Sequence, residues 1–507
     1  MSKTQIWQES LTGRVAAGAG LTWRQSVFCR WVSGTAQYSR QEAVRSSLTS
    51  RAPAAVVGLL LRPLEQAGAA IRRGLPGSLF LNLKPHPSLS SSIVLRSVAG
   101  FRLETLLWLV FSYIFIDYAL RRSPSTAFWA GNWDELLLVL IFLAWPLQMA
   151  LRGKLTYRLT PLDFPIFIYL AVAGFLFLVR SPQISIAIEG LRVYVEYIFW
   201  FFVASNLLLN KDQARALVNW LVALGTLVAL HGVYQYIIGV QIPTTWLDST
   251  ETVRTRVFSI VGSPNVLGSF LVLLIPITIS QLLSARGRAQ KYLYTLCLAP
   301  MVLSLIFTFS RGAWLAMAGA LIIYGLIYNW RILLALAVAA YTAPKLIPGI
   351  ASRIGYMLSP AYLLSSARAG RVARWNMAIN KVNNNPLTGE GFGRFGGAVA
   401  ARHIPSSNYV DNFYLKTAAE SGLIGIAALA WLLLSGVRCA LNTYRRLTDP
   451  YLKGLAGGLI AGLLGVLLHN GVENIFEVPM MTTYFWLLLG MTAALPHLEG
   501  QETPPLE

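Results

Sequence analysis

Residues 262–284 read GSPNVLGSFLVLLIPITISQLLS, a run without a single charged side chain. At a rise of about 1.5 Å per residue, such a helix crosses the roughly 30 Å hydrocarbon core of a bilayer. A surface helix of a soluble protein needs a charged face, and this run has none. Similar apolar blocks recur at about 103–120, 134–151, 163–179, 186–209, 214–239, 291–310, 312–328, 332–349, 413–436, 454–471 and 479–497. The chain as a whole agrees: 55% of its 507 residues are hydrophobic, 12% aromatic and only 13% charged. Soluble chains carry about a quarter charged residues. Soluble multidomain, disordered, collagen-like and disulfide-rich secreted classes are excluded. The sequence predicts an all-α polytopic membrane protein with about twelve transmembrane helices.

Charge gives the orientation. Arg152, Lys154 and Arg158 follow the second block, Lys211 and Arg215 the fourth, and Arg286, Arg288 and Lys291 the sixth. Arg438, Arg445, Arg446 and Lys453 follow the tenth. All four groups fall on one side by parity, and basic loops stay in the cytoplasm. Both termini are therefore expected inside. Residues 1–102 form a basic N-terminal tail whose only acidic residues are Glu9, Glu42 and Glu65. Its short apolar stretch Ala54–Leu61 is either an amphipathic segment on the membrane surface or part of a loosely ordered tail. Residues 103–349 carry the first nine helices, 350–412 a long extracytoplasmic loop, 413–497 the last three helices, and 498–507 a short cytoplasmic tail. No cleavable signal peptide is expected, because the first long apolar block begins near Leu103. Cys29, Cys297 and Cys439 are scattered and have neither disulfide-framework nor metal spacing.

The long loop holds Arg353, Arg368, Arg371, Arg374, Lys381, Arg394 and Arg402 against only Glu390 and Asp411. Such a surplus fits an anionic ligand, or a solvated basic face. Arg256 and Arg311 reach the same face by the topology. An arginine near hydrocarbon is costly unless paired or solvated, and its planar fork suits phosphate oxygens. Glu189, Arg192 and Glu196 share one helical face, so an internal ion pair is expected. His231 reads as structural. His469, Glu473 and Glu477 gather where the eleventh span meets the outside. There is no phosphate-binding glycine loop of the GxxxxGK type, no HExxH, no paired-cysteine metal site and no GxSxG. No cofactor and no metal are expected, so any chemistry must use an activated donor already in the membrane.

At these residues the chain resembles a known family. Arg256 with Pro264-Asn265, Ser310-Arg311-Gly312, Arg371 to Trp375, and Pro386-Leu387-Thr388-Gly389-Glu390-Gly391-Phe392-Gly393 follow in order. Asp411-Asn412-Phe413-Tyr414-Leu415, then Glu420-Ser421-Gly422-Leu423-Ile424-Gly425, complete the series. Together they resemble the O-antigen ligase and O-antigen polymerase superfamily of bacterial envelopes, over roughly residues 160–500. The resemblance implies a GT-C-like, metal-independent glycosyltransferase of the bacterial cytoplasmic (inner) membrane. It would move a glycan from undecaprenyl diphosphate to an acceptor hydroxyl on a glycolipid, cell-wall polymer, growing glycan or protein. Arg256 and Arg311 match the family's diphosphate-binding arginines, and Arg371 is a third candidate. Ligases of the family usually carry a His-Asn pair at the start of the helix after the loop. Here Asp411 stands in place of that histidine, either as base or as helix cap. His403 is a weaker substitute. The competing readings are a transporter of a small anion and an inactive envelope scaffold.

Overall fold

The computed structural model describes residues 101–152, 157–243, 255–346, 348–368, 370–405, 407 and 409–499. The apolar stretch at Ala54–Leu61 and Arg254 lie outside them. Among the described residues no strand is named, and one isolated bridge joins Gly396 to Tyr409. The protein is all-α.

Helices stand at every one of the twelve apolar blocks, but not all are simple spans. The first block is a bent pair, α1 (Leu106–Phe111) and α2 (Tyr113–Arg122), with α1 extended by a turn from Leu103, at 68°. A short helix, α3 (Ala127–Ala130), precedes α4 (Trp133–Arg152), whose first turn holds Asp134 and Glu135. Next come α5 (Asp163–Val179), then α6 (Ile184–Val195) and α7 (Phe199–Leu207), separated by a 3-10 turn at Glu196–Ile198. Then follow α8 (Lys211–Ile238), α9 (Pro264–Ser284), α10 (Arg288–Phe307), α11 (Arg311–Ile327) and α12 (Arg331–Leu346). Among the described residues, five helices are long and apolar enough to cross a membrane unaided: α8, α9, α10, α17 (Phe413–Arg446) and α18 (Pro450–His469). The number rises to seven if each of two bent pairs is one span, the second joining α12 to the helix that follows it. Part of the shortfall from twelve has visible causes: helices α5 and α11 have 17 residues each, and the 3-10 turn divides α6 from α7. The last helix is α19 (Pro479–Leu498).

The core forms around α9, most of which is buried. It packs on α18 through a face of glycines. A Cβ added at Gly458 would lie 2.8 Å from the carbonyl oxygen of Pro276, and one at Gly462 would collide with that of Leu273. Small residues at such a crossing let two backbones approach closely, which is how helices gain packing energy where lipid supplies no hydrophobic drive.

The region between α12 and α17 holds four short helices: α13 (Pro348–Met357), α14 (Pro360–Arg368), α15 (Arg371–Asn384) and α16 (Ala398–His403). Between α15 and α16 the chain is irregular, with Gly389, Gly391, Gly393 and Gly396 all at positive φ. This segment docks on a break in α17. Gly422 has φ 65° and ψ −169°, which interrupts the helix there. The freed backbone groups pair with the loop: Leu423 N–H donates to Pro386 O at 2.7 Å, and Gly391 N–H to Glu420 O at 2.9 Å. The break therefore serves as the loop's docking edge.

Candidate functional site

Four helices begin at one place. α9 starts at Pro264, α11 at Arg311, α15 at Arg371 and α17 at Phe413. Side chains at or beside these starts contact one another, or contact the turn His469–Glu473 that follows α18. Each helix start presents unpaired N–H groups and a partial positive charge, so an anion is favoured where they gather. Placing arginine at the first position of α11 and α15 runs against the helix dipole. That choice costs stability unless an anion offsets it.

The turn between α10 and α11 organises one side. Phe309 takes φ 48°, an uncommon conformation for a non-glycine residue. The turn's carbonyls thereby receive three neighbours. Val257 N–H donates to Phe307 O at 3.1 Å, Arg256 Nε to Thr308 O at 3.0 Å, and Arg353 Nη1 to Phe309 O. Ser310 caps α11, its hydroxyl accepting from Ala313 N–H. Arg311 then projects beside two tyrosines, its guanidinium carbon 4.8 Å from the Tyr362 ring centre and 5.8 Å from that of Tyr356. This cation–π contact replaces the sliding toward water that an interfacial arginine would otherwise show.

From Arg256 a hydrogen-bonded chain crosses the site. Arg256 Nη2 donates to Asn265 Oδ1 at 3.1 Å, and Asn265 Nδ2 donates to Glu473 Oε2 at 2.5 Å. Arg371 Nη2 donates to the same Glu473 oxygen at 3.4 Å, while its Nε donates to Asp411 Oδ2 at 3.3 Å. Arg374 also pairs with Asp411, at 3.2 Å, and Trp375 Nε1 donates to the Asp411 carbonyl at 3.3 Å. Arg256, Arg371 and Asp411 thus belong to one network. Arg311 adjoins it, because Tyr362 lies within electrostatic reach of Arg371 and Gly312 packs on His469.

The electrostatics follow from burial. Burial, and then the neighbouring Asp411 carboxylate, push Glu473 up to about 7 despite Arg371 and Arg256. Burial opposes the charge on Arg371, but Glu473 and Asp411 outweigh it and hold the guanidinium charged. His469 is 1% exposed, and neither of its ring nitrogens has a hydrogen-bond partner.

Asp411 does not cap α17. That role falls to Asn412, whose side chain accepts from Leu415 N–H at 3.0 Å and donates to Gly471 O at 2.8 Å. His403 faces Glu189 at 3.2 Å, alongside Arg402, and so ties α16 to α6. The expected ion pair on α6 forms between Arg192 and Glu196, with Glu135 of α4 on the other side of the arginine and Glu189 turned toward α16. His231 contacts the Ser259 hydroxyl at 3.1 Å, a structural setting.

Sequence reasoning missed a buried ion cluster one turn into α17. Lys416 Nζ lies 2.9 Å from Glu420, 2.9 Å from Glu477 and 3.0 Å from the Tyr194 hydroxyl. The carboxylates also accept from the loop, Glu420 from Phe395 N–H at 3.0 Å and Glu477 from Ala398 N–H at 2.6 Å. The i,i+4 spacing of Lys416 and Glu420 within an apolar run was the available signal.

Comparison with known proteins bears on this region directly. Residues 296–430 match the family model described as O-antigen ligase. No curated protein matches the sequence. Among solved structures, one chain aligns at 15% identity and a TM-score of 0.39, covering 69% of this chain and all of that one. It comes from work described as structural coordination of polymerization and crosslinking by a peptidoglycan synthase complex. At that score the likeness carries no argument. The matched residues include Arg311, Arg371 and Asp411, so the stretch of this all-α membrane protein that carries them is similar to the O-antigen ligase family.

Proposed function

We propose that the protein is a GT-C-like, metal-independent glycosyltransferase of the bacterial cytoplasmic membrane. All twelve apolar blocks cross, both termini lie in the cytoplasm, and the long loop covers the site on the far side. The donor is a glycan on undecaprenyl diphosphate, and the acceptor is a hydroxyl on a glycolipid, cell-wall polymer, growing glycan or protein. The observation that carries this reading is the gathering of Arg256 and Arg371 about Asp411 and Glu473, with Arg311 adjoining them, where four helices start. The O-antigen ligase match over the same residues supports it.

The chemistry is a displacement. The acceptor oxygen attacks the anomeric carbon, the new glycosidic bond forms, and the bond from that carbon to the diphosphate oxygen breaks. The hydroxyl proton passes to Asp411, which Arg371 and Arg374 hold in place. The lipid diphosphate leaves with its charge against Arg256, Arg311 and Arg371. Fixed cations stabilise charge that develops late in the reaction without reorganising at that moment.

Cells test the proposal. Loss of the protein should leave a glycan stranded on its lipid diphosphate. Wild type should clear it, and Arg311→Ala should not. Clearance by Arg311→Ala as efficient as by wild type would reject the diphosphate assignment. Absence of any stranded lipid intermediate would favour anion transport or scaffolding.

A further inference from the structure

The donor reading leaves a carboxylate where an anion should bind. Glu473 stands between Arg256, reached through Asn265, and Arg371. Only 8% of it is exposed, so water cannot screen its charge from a neighbouring phosphate. The polar and charged groups facing it are Arg256 from the segment before α9, Asn265 at the start of α9, Arg371 on α15 and Asp411 before α17. Tyr409 is also within electrostatic reach, and the buried His469 faces Arg371 from the end of α18.

A diphosphate esterified at both ends carries two negative charges, and an ionised Glu473 would repel them across a site that water does not screen. Asn265 already donates to Oε2, so a proton on Oε1 would leave the side chain a hydrogen-bond donor.

Resting on the donor reading, we propose that Glu473 binds the donor as the neutral acid, giving its O–H to a diphosphate oxygen, while Asp411 serves the acceptor hydroxyl. Two carboxyl groups that share Arg371 thereby take different roles. Burial and Asp411 favour the neutral form at Glu473, with its titration near 7. The donor site therefore closes as the medium turns alkaline.

The test uses the full-length protein in lipid nanodiscs and a polyprenyl diphosphoryl N-acetylglucosamine, whose diester diphosphate does not titrate near neutrality. Affinity for wild type should fall about tenfold from pH 6 to pH 8, following the protonated fraction of a group near 7. Glu473→Gln fixes a neutral amide donor at the site and should abolish that pH dependence. Wild-type binding that is flat with pH yet lost in Arg256→Ala would overturn this inference and leave the donor reading standing. A pH dependence that persists in Glu473→Gln would also overturn it. Absence of binding at every pH would overturn both. Because wild type alone reports the pH profile, the test does not depend on the variant folding.

Discussion

Replacing Gly422 with alanine should undock the glycine loop while leaving the helices intact. At φ 65° and ψ −169° the residue occupies a region that is essentially closed to side chains, costing about 1–3 kcal/mol. The added Cβ would also collide with Leu387 O and come within 2.6 Å of Thr388 N, both backbone atoms that no rotamer can clear. The loop must lift. That breaks the bonds from Leu423 N–H to Pro386 O at 2.7 Å and from Ile424 N–H to Leu387 O at 3.3 Å. At about 1 kcal/mol each, these losses bring the local destabilisation to roughly 3–5 kcal/mol. Hydrogen exchange reads it directly: about 3 kcal/mol is on the order of a hundredfold faster exchange at Leu423 and Gly391. Gly174→Ala is the control, since its Cβ meets nothing within 4 Å. Exchange at Leu423 within a factor of two of wild type in Gly422→Ala would refute the docking argument.

Other perturbations separate the parts of the account. Lys416→Met leaves Glu420 and Glu477 buried without their cation and should cost about 3–5 kcal/mol, read as a lower unfolding temperature in detergent. Adding Glu477→Gln to that variant should recover part of the loss, and no recovery would count against the ion cluster. Asn412→Ala removes the α17 cap and the tie to Gly471, for a loss of about 1 kcal/mol in the same melt. Because the folded-state value of Glu473 is raised to about 7, folding favours its protonated form. Its contribution is full below the ordinary glutamate range and is lost as pH rises through about 7, so the melting temperature should fall from pH 5 to pH 8. Glu473→Gln should flatten that decline, and an unchanged slope would show that another group causes it.

The fold was legible where the physics is local. Apolar runs without charge, such as 262–284, place α9 and its neighbours within a few residues of their observed ends. Span counting was less secure, because Glu196–Ile198 breaks a block that hydropathy reads as continuous and α1–α2 bends sharply. At the site, Arg256, Arg311 and Arg371 were legible as arginines that the topology brings to one face. What joins them was not. Asn265 and Glu473 lie more than two hundred residues apart, and only the packing of α9 on α18 brings them together. Asp411 beside Asn412 could be read as either base or cap, because one residue of register decides which side chain closes the helix. Lys416 was overlooked because a lysine near a span's end usually slides to water, whereas here two carboxylates hold it inside.

The central claim is that this arginine-lined site transfers a glycan off a lipid diphosphate. Its most direct measurement is release of the lipid diphosphate by purified protein in lipid, given undecaprenyl-diphosphate-linked oligosaccharide and acceptor, with Arg256→Ala, Arg311→Ala and Asp411→Asn alongside. The account predicts one lipid diphosphate released per glycan transferred by wild type, and none by any of the three folded variants. Full release by Arg256→Ala and Arg311→Ala would contradict it.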